Sequence, residues 1–175
     1  SDFKLVFAEI LRTLKRCGYR VKARLLNAMW FGVPQSRERM IFVGVREDIG
    51  REPSHPAGWS EPVSVRAAVA MATAIGVGEG FGPRHSVGVP NPDFENKWRS
   101  MGLPSCTIVK SRPPMLLFSD GSARGMTPAE CQRVGSFPDA FRFIGNASKA
   151  VERIGNSVPP LLMRSIAAHV RTLVS

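Results

Sequence analysis

Two short polar constellations hold the residue types that chemistry needs. The first is Gln35-Ser36-Arg37-Glu38-Arg39, followed at once by the apolar run Met40-Ile41-Phe42-Val43. Arginines two positions apart at the entrance to a strand point into one region, and Gln35 lies two residues earlier on the same alternation. Together they make a compact fork of donors for a phosphate, a carboxylate or a base carbonyl. Glu38 supports the rival reading, a structural ion-pair network. The second constellation is Gly155-Asn156-Ser157-Val158, just ahead of Pro159-Pro160. It reads equally as a helix cap with a tight turn or as a place where glycine lets backbone approach a ligand. Cys17, Cys106 and Cys131 have no Cys-x-x-Cys spacing and leave an odd thiol, so neither a metal site nor a disulfide framework is indicated. Each reads as a packing residue rather than a nucleophile. Gly76-x-Gly78-x-Gly80 lacks the preceding strand and following Lys-Ser/Thr of a phosphate loop.

The elements that must position these residues are legible around them. Phe3, Phe7, Ile10, Leu11 and Leu14 recur at helical spacing, with Lys15, Arg16 and Gly18 as a basic last turn and stop. Tyr19, Val21, Ala23 and Leu25 alternate with basic residues as a strand does, and Met40 to Val45 reads as a second, fully buried strand. The connection Asn27 to Arg39 is too long for a tight hairpin turn, and two strands with one helix leave an edge and a face for something else to cover. Residues 47–62, with Pro53, Pro56 and Pro62, read as a linker. Ser64 caps a short helix to about Met71, and the glycine-rich stretch to about Asn91 reads as irregular. Thr107 to Val109 and Met115 to Phe118 suit short strands. Thr127-Pro128-Ala129-Glu130 is a capping box with proline at the first helical position, opening a helix that Gly135 ends. A short helix near Ser148 to Ile154 precedes a terminal helix whose apolar face is Leu162, Ile166, Val170 and Leu173.

Composition bounds the partners. The chain has 175 residues, 43% of them hydrophobic, which is enough for a core. Its net charge of +10 suits a polyanion such as nucleic acid, with a solubilising surface as the plain alternative. No run of residues approaches the roughly 20 apolar positions that cross a bilayer, so no membrane is expected, and the cysteine usage points to a reduced, cytoplasmic setting.

Three separated blocks then acquire a common meaning. Residues 31–39 (FGVPQSRER), 126–143 (MTPAECQRVGSFPDAFRF) and 153–160 (RIGNSVPP) resemble, in order, the last three conserved blocks of DNA cytosine-5 methyltransferases. Residues 104–127 look like the end of that family's target-recognition domain, leaving 47–100 as the variable section. The resemblance implies an α/β fold: the edge of a Rossmann-like S-adenosylmethionine-dependent methyltransferase sheet plus a small irregular α+β target-recognition domain. The implied division is 1–48 for the catalytic part, 49–125 for target recognition, and 126–175 for a support block and a helix returning to the catalytic part.

In that family a cysteine thiolate attacks cytosine C6 of a flipped base, and methyl passes from S-adenosylmethionine to C5. Gln35, Arg37 and Arg39 match the active-site block, whose last arginine helps hold the family's catalytic glutamate, which protonates or holds the cytosine ring, and the base carbonyl by electrostatic preorganisation. Asn156, Ser157 and Val158 match the block lining the methyl-donor pocket. Arg124, Glu130, Arg133, Phe137, Pro138 and Asp139 match the block that organises the recognition domain. There are departures from the family pattern: Ala129 stands for the usual arginine, Gly135 for the usual glutamine, and Glu152-Arg153 for the usual Arg-Gln before Ile-Gly-Asn. Arg84, His85, Lys97, Arg99, Lys110 and Arg112 are the residues expected to meet double-stranded DNA, through phosphates for affinity and base edges for sequence choice. No Pro-Cys-Gln nucleophile, Glu-Asn-Val segment or Phe-x-Gly-x-Gly donor loop occurs in the chain. The resemblance therefore implies a partner, either a missing N-terminal catalytic half or a separate catalytic subunit, and no methyl transfer by this chain alone. The alternative from another class is a freestanding sequence-specific DNA-binding protein, whose binding substitutions at Arg39 or Asn156 leave unchanged.

Overall fold

The structure, a computed structural model, describes residues 2–70, 80–82, 99–110, 113–118 and 122–175. Its first part is helix α1 (Asp2–Arg16) followed by an antiparallel ribbon of β1 (Tyr19–Asn27) and β2 (Glu38–Arg46). Gly18, at φ +79°, makes the left-handed turn between helix and strand that its place in the sequence predicts. The ribbon pairs without interruption from Tyr19 opposite Arg46 to Asn27 opposite Glu38. Directly opposed residues share a face, so Val21, Ala23, Phe42, Leu25 and Met40 lie on one side and Arg20, Lys22, Arg24, Ile41 and Val43 on the other. α1 packs on the first face, with the Phe7 and Phe42 rings 5.3 Å apart.

The expectation that β2 is fully buried is corrected, since only Val43 and Val45 of its residues are buried. A two-stranded ribbon has too few neighbours to cover both faces of either strand. The opposite face is taken by α5 (Pro160–Val174), which packs on β2 and on the 3-10 turn Ala28–Phe31. Leu162 and Ile166 join Leu26, Ala28, Phe31 and Val33 in one buried cluster, with Ile41, Val158, Leu161 and Val170 at its border. The apolar stripe of the terminal helix thus finds its partner within this chain.

The second part holds a small antiparallel sheet in the order β4-β3-β5-β6, built from β3 (Gly80–Gly82), β4 (Arg99–Ser100), β5 (Met115–Leu117) and β6 (Ala123–Gly125). Three helices surround it: α2 (Val65–Ala70), α3 (Pro128–Val134) and α4 (Ala147–Asn156). Val65 and Val69, Met101, Ile108, Leu116, Met126, Cys131 and Val134, and Val151 and Ile154 form its core. Ser64 accepts from the Ala67 N–H as expected of its helix start. The capping box is complete: the Thr127 side chain accepts from the Glu130 N–H, while the Glu130 carboxylate accepts from the Thr127 N–H.

Three sequence expectations change. Gly80–Gly82 is a strand inside the stretch read as irregular, because pairing with Met115–Leu117 fixes a backbone that glycine would otherwise leave free. Thr107 to Val109 forms no strand; the Thr107 hydroxyl donates to the Ser36 carbonyl at 2.8 Å and the Ile108 carbonyl accepts from the Arg37 side chain, so the segment is tied to the loop before β2. Residues 47–62 are no free linker. Ser54 shares a 2.8 Å hydrogen bond with His169 of α5, His55 Nε2 donates to the Ile41 carbonyl, and Trp59 Nε1 donates to Ser165 of α5. Prolines that prevent regular pairing let this segment follow an irregular path across α5. Among the described residues no helix is long and apolar enough to cross a membrane.

Candidate functional site

The three arginine-block residues have different surroundings. Arg37 is only 1% exposed. Its Nη1 donates to the Ile108 carbonyl at 3.0 Å, and its Nη2 donates to the Gly155 carbonyl at 2.5 Å and the Ser157 carbonyl at 3.0 Å. Nε is buried with no hydrogen-bond partner. Burial, and then the neighbouring charge of Arg39, push the guanidinium down to about 10, which still leaves it charged at neutral pH. A planar cation with donors on two arms can gather several carbonyls that a lysine could not. Arg37 thereby joins the entrance of β2, the segment around Ile108 and the end of α4.

Asn27 sets the loop that delivers Arg37. Its side-chain oxygen accepts from the Met29 and Arg37 backbone N–H groups, and its Nδ2 donates to Ser36 Oγ at 3.1 Å. In the sequence Asn27 marks only where a loop begins, although an asparagine at a strand end before a turn is itself a signal of side-chain to backbone bonding. Gln35 is buried beside it and forms a parallel bridge with Ser105: Ser36 N–H donates to the Ser105 carbonyl at 2.8 Å and Ser105 N–H to the Pro34 carbonyl at 2.9 Å. Arg39 is half-buried, and Nη1 donates to the Glu38 carbonyl at 2.7 Å. Glu38 forms no ion pair among the described residues, so the rival ion-pair network around it has no support there.

The asparagine block forms the end of α4 and lies ahead of α5, the order its sequence suggests. Asn156 is the last helical residue and is exposed. The Ser157 hydroxyl donates to the Ile154 carbonyl at 2.7 Å, closing the helix end, while its own carbonyl receives Arg37. Val158 packs on the cluster around Leu162. Gly155 is required at its position, since a Cβ there would lie 2.6 Å from the Lys110 nitrogen and 2.7 Å from the Val109 carbonyl carbon. Backbone packs directly on backbone at this point. Asn156 and Ser157, with Lys149, Glu152 and Arg153, line an open pocket of about 420 Å³.

Of the residues expected to meet DNA, Arg99 on β4 and Lys110 are exposed. Arg84, His85, Lys97 and Arg112 lie outside the described residues. The segment from Arg124 to Asp139 is held by ion pairs, Arg124 bonding Glu130 through two contacts of 2.8 Å and Arg133 bonding Asp139 at 2.6 Å. Phe137 meets Phe141 and Phe143 at 5.2 and 5.1 Å between ring centroids. None of the cysteines has the surroundings of a nucleophile. Burial raises the Cys106 thiol and pushes Cys131 up to about 12, while Cys17, read from the sequence as a packing residue, is instead exposed just after α1, where the chain leaves the helix for solvent. Among the described residues no group of His, Cys, Asp or Glu is arranged to hold a metal.

The chain is 31% identical to the Type II methyltransferase M.BspRI of Lysinibacillus sphaericus, over 94% of this chain and 46% of that protein. It is 29% identical to M.AplI of Arthrospira platensis over 93% and 51%, and 30% identical to M1.HphI of Haemophilus parahaemolyticus over 93% and 51%. The chain therefore spans about half the length of these relatives. Among solved structures, the DNMT2 of Spodoptera frugiperda superposes with a TM-score of 0.66 at 16% identity, over 100% of this chain and 63% of that one. The S. pombe Dnmt2 methyltransferase gives 0.63 at 15%, over 94% and 61%. At those identities the superpositions establish the fold alone, that of part of a larger methyltransferase. Membership comes from the sequence itself: the model of the C-5 cytosine-specific DNA methylases matches residues 1–97 and 93–172, and the chain belongs to that family.

Proposed function

We propose that this chain is the C-terminal, target-reading part of a DNA cytosine-5 methyltransferase. The complete enzyme transfers methyl from S-adenosylmethionine to C5 of a cytosine in a specific sequence of double-stranded DNA. The chain performs this only with a polypeptide that supplies the nucleophile and the methyl-donor loop, and it works in the cytoplasm. The observation that carries the reading is the Arg37 junction, where one side chain bonds both the segment running toward Lys110 and the end of α4 at Gly155 and Ser157. Target reading and donor binding are separate tasks, and a shared rigid junction is what aligns them to within the fraction of an ångström that a methyl transfer needs.

The residues divide by task. Arg39, half-buried and partly free of the backbone, is the side chain we assign to the cytosine carbonyl and the partner's carboxylate. Arg37 is a positioning residue, since its donors go to protein backbone, and we assign the same role to Gln35, which is buried at the backbone bridge to Ser105. S-adenosylmethionine supplies an electrophilic methyl when bound. Of the three residues matched to its pocket, Asn156 fits best, with an exposed amide at a pocket wall; Ser157 closes the helix and Val158 faces the core. Arg99 and Lys110 contribute phosphate contacts, as Arg84, His85, Lys97 and Arg112 do in the same reading. The recognition segment is 49–125, supported by α3 and α4.

The test is incubation with labelled methyl donor and duplex DNA, alone and with the first half of the L. sphaericus relative. No transfer alone and transfer in the mixture is the expected result. Transfer by the chain alone overturns the division of labour, and sequence-selective binding without transfer in any mixture favours the freestanding DNA-binding reading.

A further inference from the structure

Helix α5 opens on Pro159-Pro160, a pair that starts a helix and cannot cap it. Proline suits the first helical position because the N–H it lacks would go unbonded there anyway. Pro159, one place earlier, has no side-chain oxygen and makes no capping hydrogen bond. The regular ladder begins at the Met163 N–H, which donates to the Pro159 carbonyl at 3.0 Å. The Leu161 N–H belongs to the first turn, whose donors have no acceptor within the helix. It donates instead to Ser136 Oγ at 3.2 Å, across 25 positions of chain.

Ser136 holds that hydroxyl on a backbone that serine disfavours. At φ +62° it is the one residue other than glycine with a positive φ among the described residues. It closes the end of α3: the Ser136 N–H donates to the Arg133 carbonyl at 2.8 Å and the Phe137 N–H to the Gln132 carbonyl at 2.9 Å. The left-handed place in such an ending is usually filled by glycine. Here the glycine stands one residue earlier, at φ −76°. A Cβ on Gly135 would lie 3.1 Å from both Ile154 Cγ2 and the Cys131 carbonyl oxygen, so close packing on α4 keeps the glycine at 135. Glycine at 136 would end α3 without strain, but it would carry no hydroxyl. Strain of this kind points from an observed outlier to a task for the side chain.

The task lies at the turn between α4 and α5. Arg37 holds the upstream end of that turn through the Gly155 and Ser157 carbonyls, and Ser136 holds the downstream end at Leu161. Asn156, exposed at the wall of the pocket of about 420 Å³, sits in the stretch these two side chains anchor. We propose that Ser136 is a positioning residue for the methyl donor: its hydroxyl fixes the first turn of α5 and, through it, the Asn156–Val158 turn. The proposal rests on the assignment of Asn156 to S-adenosylmethionine given above. Without the hydroxyl the turn keeps only its upstream anchor, and the Asn156 amide is no longer held where the donor needs it.

The experiment uses the full chain, alone and mixed with the first half of the L. sphaericus relative, as wild type, Ser136→Gly and Ser136→Ala. Glycine removes hydroxyl and strain together, whereas alanine removes the hydroxyl alone, so the glycine variant melts above the alanine variant. In both variants of the isolated chain the Leu161 amide is expected to exchange roughly tenfold faster, the loss of one ordinary hydrogen bond. In the mixture the KM for S-adenosylmethionine is expected to rise roughly 5–10-fold in both, with kcat and the KM for DNA within about twofold of wild type. A serine that served only to end α3 gives a different pattern, a glycine variant with the donor KM of wild type. That result, in a wild-type mixture that transfers methyl, overturns the proposal and leaves the assignment of Asn156 standing. Unchanged exchange at Leu161 overturns it as well, and so do parallel losses in kcat, both KM values and melting temperature, which mark a general packing defect. A wild-type mixture that transfers no methyl removes the functional reading itself, and this proposal with it.

Discussion

Replacing Arg37 by methionine tests the junction directly. Methionine keeps a long flexible side chain of similar reach and removes the charge and every donor. The carbonyls of Ile108, Gly155 and Ser157 then lose their donor. A buried acceptor left unsatisfied costs about 1–3 kcal/mol, so three of them cost about 3–9 kcal/mol before any relaxation. Against this stands the desolvation of the guanidinium, several kcal/mol that the variant no longer bears. Its lowered pKa and its unpartnered Nε both show that the surroundings oppose the charge. The difference is a destabilisation of about 3 kcal/mol, or roughly 6–12 °C in melting temperature for a chain of this size. Arg37→Lys, which places one compact ammonium among three divergent acceptors, recovers less than half of that. Circular dichroism melts of the three proteins measure the stability, and amide exchange around Lys110 and Asn156 localises the loss. A methionine variant as stable as wild type, with unchanged exchange at both places, refutes the reasoning.

Gly155→Ala should cost about 1–3 kcal/mol in a urea melt, although alanine favours helix, because its Cβ meets Lys110 and Val109 backbone that has little room to yield. Burial raises the Glu130 carboxyl, but the Arg124 hydrogen bonds, the Thr127 N–H and the Arg124 charge outweigh it and hold the group below its ordinary value of 4.5. A carboxyl with a depressed folded pKa stabilises the protein above the unfolded value and loses that contribution as pH falls through the folded one. Wild type should therefore lose stability relative to Glu130→Gln as pH drops below about 4.5, and parallel melting curves for the two proteins across that range would contradict the linkage. Ellman's reagent should react quickly with exposed Cys17, slowly with half-buried Cys106 and with Cys131 only after unfolding, given its thiol near 12; rapid reaction of Cys131 in the native chain would show that the α3 core is open.

Much of the local structure was written in the sequence because its causes are local. Asp2 to Arg16 carries a helical apolar period and a glycine stop, Tyr19 to Leu25 alternates, and Thr127 to Glu130 holds its cap within four residues. Those features need no distant partner to decide them. The arginine and asparagine blocks were likewise recognisable as residue types and order. The sequence could not say that Arg37 spends its donors on carbonyls more than seventy positions away, since a guanidinium next to a strand serves a substrate or a backbone equally well until the fold brings one of them near. Non-local contact also decided the corrections: Gly80–Gly82 became a strand by pairing with Met115–Leu117, residues 47–62 were drawn onto α5 by Ser54 and Trp59, and Leu162 and Ile166 found cover in Phe31. Periodicity and capping act over one or two turns of chain and are fixed by sequence, whereas the assignment of a polar side chain to chemistry or to scaffold depends on which groups tertiary packing leaves within hydrogen-bonding distance.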